Sequence, residues 1–208
     1  MAVTGYFYAS AFTKTWNKEA DLDTDTLKAM LCTSAYTPNR ATHAYKSDVT
    51  NEITGTGYTA GGATLTTPTI AYVAANSWAT ARANSTAYVV GQYVRPATGN
   101  GFLYKCITAG TSGGTVPTYP TTYGGTVTDG TVVWECVAQG AVTLDAADVA
   151  WPSSTLTARY CVIYDSTPAT DATRPLIAYI DFGADASTTA ATLTVQFDAV
   201  GIAFVPIL

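Results

Sequence analysis

Charged side chains make up 12% of this chain, about half the share usual for a globular protein. That scarcity constrains the fold more than any other feature. A long solvated helix, a coiled coil or a charge-rich disordered tail each needs charge that is not there. Hydrophobic residues reach 48% of 208 positions, enough to bury a core in one large domain or two small ones. The expectation is therefore a sheet protein with an uncharged, Thr-rich surface.

The balance of charge also excludes partners. Ten Lys and Arg stand against fifteen Asp and Glu, a net charge of -5. No basic stripe is present to neutralise phosphates, so nucleic acid is not an expected partner. No apolar run approaches the roughly 18 residues of a membrane-spanning helix, so no membrane partner is expected. Residues 1–10 lack a basic region followed by a long apolar stretch, so no secretory leader is expected.

Along the chain, Phe7, Tyr8, Ala11, Phe12 and Trp16 fall near helical spacing and predict a short amphipathic helix within Phe7 to Lys18. Leu27 to Cys32 reads as a strand, although its periodicity also permits a buried helix. Thr42 to Val49 predicts another short helix, with Thr42 as its cap. From Glu52 the pattern is mostly β. Short strands are expected at residues 63–66, 69–73, 141–144, 149–151, 158–164, 176–182 and 192–197. Residues 158–164 and 175–182 are β-branched and aromatic and read as central strands. The tail from Ile202 to Leu208 is apolar. It is either a last strand or a contact for a neighbouring molecule.

Residues 81–138 have a different texture, rich in Gly, Thr, Tyr and Pro. Phe102 to Ile107 and Val132 to Val137 share one order: apolar, apolar, aromatic, charged, Cys, apolar. Two such strands are suited to pair and bring Cys106 near Cys136, the better candidates for a disulfide. Without a secretory leader the reduced state is the default. Cys32 and Cys161 read as buried small hydrophobes. Within this segment Tyr119, Tyr123 and Trp134 are the candidate sugar-stacking residues, weighed against a role in the segment's own core. Tyr119 and Tyr123, in a Pro/Thr/Gly loop, are the expected exposed pair.

No catalytic set assembles. His43 is the single histidine and has no Ser or Cys motif beside it. Asp21-x-Asp23-x-Asp25 begins like a calcium loop, but Thr26 replaces the required Gly and Cys32 the closing Glu. It reads as a polar entry into a strand, and no metal or cofactor is expected. Gly55, Gly57, Gly61 and Gly62 lack the Lys-Ser/Thr and following helix of a phosphate loop, and read as a turn. Asp145 and Asp148 lack any sign of placement across a sugar, and a turn before Trp151 accounts for both. The expectation is a protein that is not an enzyme.

Two resemblances add to this reading. Residues 21–28, 31–38, 55–62, 148–152, 159–164 and 175–183 resemble a family of small tailed-phage virion proteins. The resemblance implies a structural component of the particle that decorates or cements the capsid. It also implies many copies held by the major capsid protein or other virion proteins. The segments Ala87 to Pro96, Tyr104-Lys105-Cys106, residues 109–113, Pro117 to Pro120 and Thr128 to Trp134 resemble a chitin-binding-type carbohydrate-binding module. That implies contact with cell-surface polysaccharide, although Tyr119 stands where the pattern favours Trp. A tail fibre or baseplate protein that binds host polysaccharide is the alternative.

The expected fold is mainly β. A sandwich-like main domain with one or two short helices occupies residues 1–80 and 139–208. A small β module is inserted at 81–138. The expected location is the virion, on the capsid surface rather than the tail.

Overall fold

A computed structural model describes residues 2–3, 5–198 and 200–207. Strand takes 48% of residues and helix 7%, so sheets carry the fold, which is mainly β and sandwich-like. The first elements are β1 (Ala2–Val3), β2 (Tyr6–Phe7), α1 (Ala9–Trp16), β3 (Leu27–Cys32) and β4 (Ala63–Thr64). Next come β5 (Thr69–Ala74), α2 (Ala75–Trp78), β6 (Ala87–Tyr88), β7 (Tyr93–Val94), β8 (Leu103–Thr108) and β9 (Gly110–Thr111). The chain ends with β10 (Thr126–Asp129), β11 (Val132–Ala138), β12 (Gly140–Asp145), β13 (Val149–Asp165), β14 (Leu176–Phe197) and β15 (Ala203–Ile207). Leu208 lies outside the described residues.

Two compact units are present. The first comprises Met1–Ile70 and Thr143–Phe204, the second Ala71–Val142 and Val205–Leu208. Residues 71–80 and 139–142 therefore join the second unit together with the expected insert.

The first unit is built on the sheet β1-β14-β13-β3-β4, with β2 also on β14. β13 lies between antiparallel β14 and β3, with Tyr160 opposite Cys32 and Asp165 opposite Leu27. Ala29 to Cys32 and Cys161 to Tyr164 are buried on both faces of the sheet. A strand covered on both sides has no reason to alternate, which is why these segments are continuously apolar. One face packs Tyr8, Met30, Tyr36, Val162, Tyr164 and Leu176 into a single cluster.

The strands expected at 149–151 and 158–164 are one strand, and so are those at 176–182 and 192–197. The joined pair is not straight. β1 pairs with Gln196 and Phe197, and β2 pairs with Ala178 and Tyr179. Ala2 and Phe7 can be at most about 18 Å apart, and each pairing adds about 5 Å. A straight strand from Ala178 to Gln196 would span about 60 Å. The β13/β14 ribbon must therefore fold over. It does so at shifts of register between Trp151 and Leu156 and between Ala158 and Tyr160. Positive φ angles at Ser153, Ala190 and Gly183 mark the same places, as bulges do. One ribbon thus lines both ends of the unit.

The helix expected over Thr42 to Val49 is reduced to one 3-10 turn at Lys46–Asp48. The backbone there bonds elsewhere: Leu176 N–H donates to Ala44 C=O, and Lys46 N–H to Arg174 C=O. Asp48 Oδ2, not Thr42, accepts the Ala44 and Tyr45 amides. α1 forms as expected, but Phe7 and Tyr8 precede it. Of its face only Ala11 is buried, while Trp16 is 81% exposed.

Gly62 shows why the glycine turn after Gly55 is tolerated. Its φ is +75°, and a Cβ there would lie 1.9 Å from Ala29 C=O. Only glycine lets this loop close on β3.

The second unit holds the antiparallel sheet β10-β11-β8-β7 and the small pair β6-β9. β11 alternates strictly: Val132, Trp134, Cys136 and Ala138 are buried, and the residues between them are half-exposed. Val132, Trp134 and Cys136 form one apolar cluster with Val94, Tyr104, Cys106 and Tyr119.

Candidate functional site

The three candidate sugar-stacking residues do not form a platform. Trp134 is fully buried; its ring meets Tyr88 edge-on at 4.9 Å, and its Nε1–H donates to Asp129 Oδ2 at 3.0 Å. Tyr119 is 8% exposed, with its ring centroid 4.3 Å from that of Tyr104. Tyr123 alone faces solvent, at 40%, edge-on to Phe102 at 5.9 Å. The physical reason is size. A unit this small has little aliphatic residue to spare, so its aromatics are drawn into its core. Tyr119 therefore corrects the expectation of an exposed Tyr119–Tyr123 pair.

The register also separates the two candidate disulfide partners. Cys106 lies opposite Trp134, and Cys136 opposite Tyr104. Diagonal neighbours of this kind are about 7–8 Å apart, beyond the reach of a relaxed disulfide. All four cysteines are buried free thiols. Burial raises the pKa of each, which suits packing and not nucleophilic attack.

What organises the second unit is an ion pair that the sequence reading missed. Arg82 and Asp129 are each 3% exposed. Arg82 donates from Nε at 2.8 Å and Nη2 at 2.6 Å to the two carboxylate oxygens. Nη2 also reaches the carbonyls of Gly113 and Thr115, and Nη1 meets Asn84 Oδ1. Asp129 Oδ1 further accepts the Gly113 amide at 2.9 Å. Burial pushes the Asp129 carboxyl up, but the bonds from Arg82, Trp134 and Gly113 outweigh it, and the pKa falls below the usual value. With every lone pair engaged, this group is a structural clamp. The partners lie 47 residues apart, so no local motif announces it. The one local signal is Asp129-Gly130, a turn pair between two strands.

The remaining candidates are engaged in structure. His43 Nδ1 lies 3.0 Å from Tyr36 Oη, which lies 2.9 Å from Tyr8 Oη. Asp145 Oδ1 accepts the Ala146 amide, and Asp148 Oδ1 the Phe197 amide. Asp25 Oδ2 accepts the Asp21 amide, closing the acidic turn before β3. No group of three or more His, Cys, Asp or Glu suited to a metal occurs among the described residues.

No protein-family model, curated protein or solved structure matches the chain. The surface therefore has to speak for itself, and the folded ribbon is its most distinctive part. Residues 152–158 and 183–192 supply 17 positions, all exposed or half-exposed except Ser154, Leu156 and Ala158, with a single charge, Asp185. The rest are almost all Ala, Ser, Thr, Gly and Pro. Along β14 the residues from Asp181 to Thr192 are exposed or half-exposed. Among the described residues, β1 and β2 are the only strands on the outer edge of β14, so nothing pairs with that edge between Ile180 and Val195. Burying such a surface costs little, because small side chains lose little rotamer freedom and Asp185 is the single charge to desolvate.

Proposed function

We propose that this protein is a structural component of a tailed-phage virion that decorates or cements the capsid. The observation that carries the reading is the folded β13/β14 ribbon, a nearly charge-free, small-residue surface with an open strand edge. An open edge is a ready template for another chain. The bulges and Asp185 keep it from associating at random, so a shaped partner surface is favoured over free aggregation. The resemblance of the flanking segments to small virion proteins points to the major capsid protein as that partner. Held in many copies, weak contacts of this kind add up through avidity. The exposed Trp16 on α1 offers a second apolar contact.

The test is the protein's location and copy number in purified particles, by electron cryo-microscopy and quantitative mass spectrometry. Capsid-wide occupancy is expected. Density confined to the tail tip would overturn the capsid assignment. A variant carrying Ala184→Lys and Thr189→Lys, both at exposed positions, is expected to fold normally and lose co-sedimentation with capsids.

A further inference from the structure

The first unit contains a polar concavity that the decorating role does not use. Its volume is about 280 Å3, and its wall includes Lys28, Lys46, Glu52, Tyr164, Asp171 and Arg174. Lys28 comes from β3, directly opposite Tyr164 on β13. Lys46 belongs to the 3-10 turn, and Asp171 and Arg174 to the loop between β13 and β14. Three of the chain's ten Lys and Arg thus gather in one hollow of a protein whose net charge is -5.

The two acids in the wall are already committed. Asp171 binds Lys46 Nζ and Arg174 Nη1, each at 2.7 Å. Those bonds, Lys46's above all, hold its carboxyl below the usual range. Glu52 accepts the Tyr58 hydroxyl at 2.8 Å and the Gly61 amide at 2.5 Å. Tyr164 forms a rigid floor: its hydroxyl donates to Gly61 C=O at 2.8 Å, and Lys46 Nζ lies 5.7 Å from its ring centroid. Lys28 is half-buried, and its side chain makes no hydrogen bond or ion pair among the described residues. Three cations against two carboxylates leave the wall one positive charge in excess, and the Lys28 ammonium has three donors with no partner among the described residues. Arg174 Nε binds Pro168 C=O and Nη1 binds Asp171, while Nη2 has no partner among the described residues.

We infer that this concavity binds a small molecule through a single oxyanion, a carboxylate or phosphate group, with Lys28 as its principal partner and Arg174 Nη2 as the second donor. The volume sits at the low end for ligand pockets and fits nothing larger than about one sugar ring. Lys46 and Asp171 fix the geometry and do not supply the free charge.

Amide chemical shifts in 15N-labelled full-length protein test this, with inorganic phosphate, glucuronate and uncharged glucose as separate probes. Phosphate, glucuronate or both are expected to shift Lys28, Gly61, Tyr164 and Arg174, and glucose is not. Which anion binds distinguishes a phosphate ligand from an acidic sugar. Lys28→Met keeps the aliphatic stem and is expected to weaken binding at least about tenfold, the effect of losing one charge-assisted contact. The same spectra report whether the variant is folded, and Lys28→Gln replaces it if it is not. No shift at these residues with either anion, equal shifts with glucose, or undiminished binding in the folded Lys28 variant would each overturn the site.

Discussion

Asp129 in the second unit and Asp165 in the first are both buried carboxyl groups, 3% and 0% exposed. Asp129 receives a two-pronged guanidinium, an indole N–H and a backbone amide, and its pKa falls. Asp165 receives the Thr167 amide on Oδ1, while Oδ2 has no hydrogen-bond partner among the described residues. Burial is the main cause that raises its pKa, and the neighbouring Asp25 carboxyl adds to the rise. Equal burial thus gives opposite shifts, because the partner and not the depth decides which protonation state is favoured. The second unit gathers its aromatic core around a satisfied charge. The first relies on apolar strands covered on both faces and tolerates one poorly served acid.

The largest effect should come from removing one half of the clamp. Asp129→Ala leaves the Arg82 charge buried and alone, which costs about 3–5 kcal/mol. Hydrogen exchange should show loss of protection across β8, β10 and β11 and little change in β3 or β13. The pair Arg82→Met with Asp129→Leu should recover most of that loss. Equal loss in both units would mean that the clamp does not belong to the second unit alone.

Next in size is a cavity in the first unit. Leu31→Ala, at a residue with 0% exposure, should cost about 3 kcal/mol, within the usual range for such truncations. Chemical denaturation followed by exchange should place that loss in β3, β13 and β14. A cost below about 1 kcal/mol would show that β3 is not packed on both faces.

The two carboxyls should also give the units opposite responses to pH. A depressed pKa, as at Asp129, contributes stability above the usual carboxylate range that is lost as pH falls through the folded value. A raised pKa, as at Asp165, works the other way. Its contribution is full below the unfolded value, near 4, and is lost as pH rises through the folded one. Asp165→Asn should therefore stabilise the first unit at pH 7 by about 1–2 kcal/mol, since it relieves a poorly partnered buried acid. The gain should shrink towards pH 4. A gain that does not depend on pH would show that the carboxyl's charge is not its cause. The smallest effect is expected at Trp16: Trp16→Ala should change the melting stability by less than about 0.5 kcal/mol, and under the proposed decorating role it should weaken co-sedimentation with capsids.

Much of this architecture was legible because it is local. The strict alternation of β11, the apolar run of β3 and the glycine turn ending at Gly62 follow from side-chain period and backbone freedom. The shortened turn at Lys46–Asp48 was not legible. Thr42 offered a cap, but the amide and carbonyl bonds of Ala44 and Lys46 went to residues 174–176, about 130 positions away. The site residues fared unevenly for the same reason. Tyr119 and Trp134 carry identical side chains whether they line a core or a platform, and only packing assigns them to the core.

By itself, then, the sequence determined a sheet protein: low charge, abundant Thr and β-branched aromatic segments leave no other way to bury 48% hydrophobic residues. The tertiary structure alone decided that two pairs of strands fuse into one folded ribbon. It alone joined Arg82 to Asp129 and grouped Lys28, Lys46 and Arg174 around one hollow. The ion pair unites positions 47 residues apart, and the hollow draws on both halves of the chain. A sequence prescribes spacing along the chain, whereas charge pairing and burial depend on distance through space.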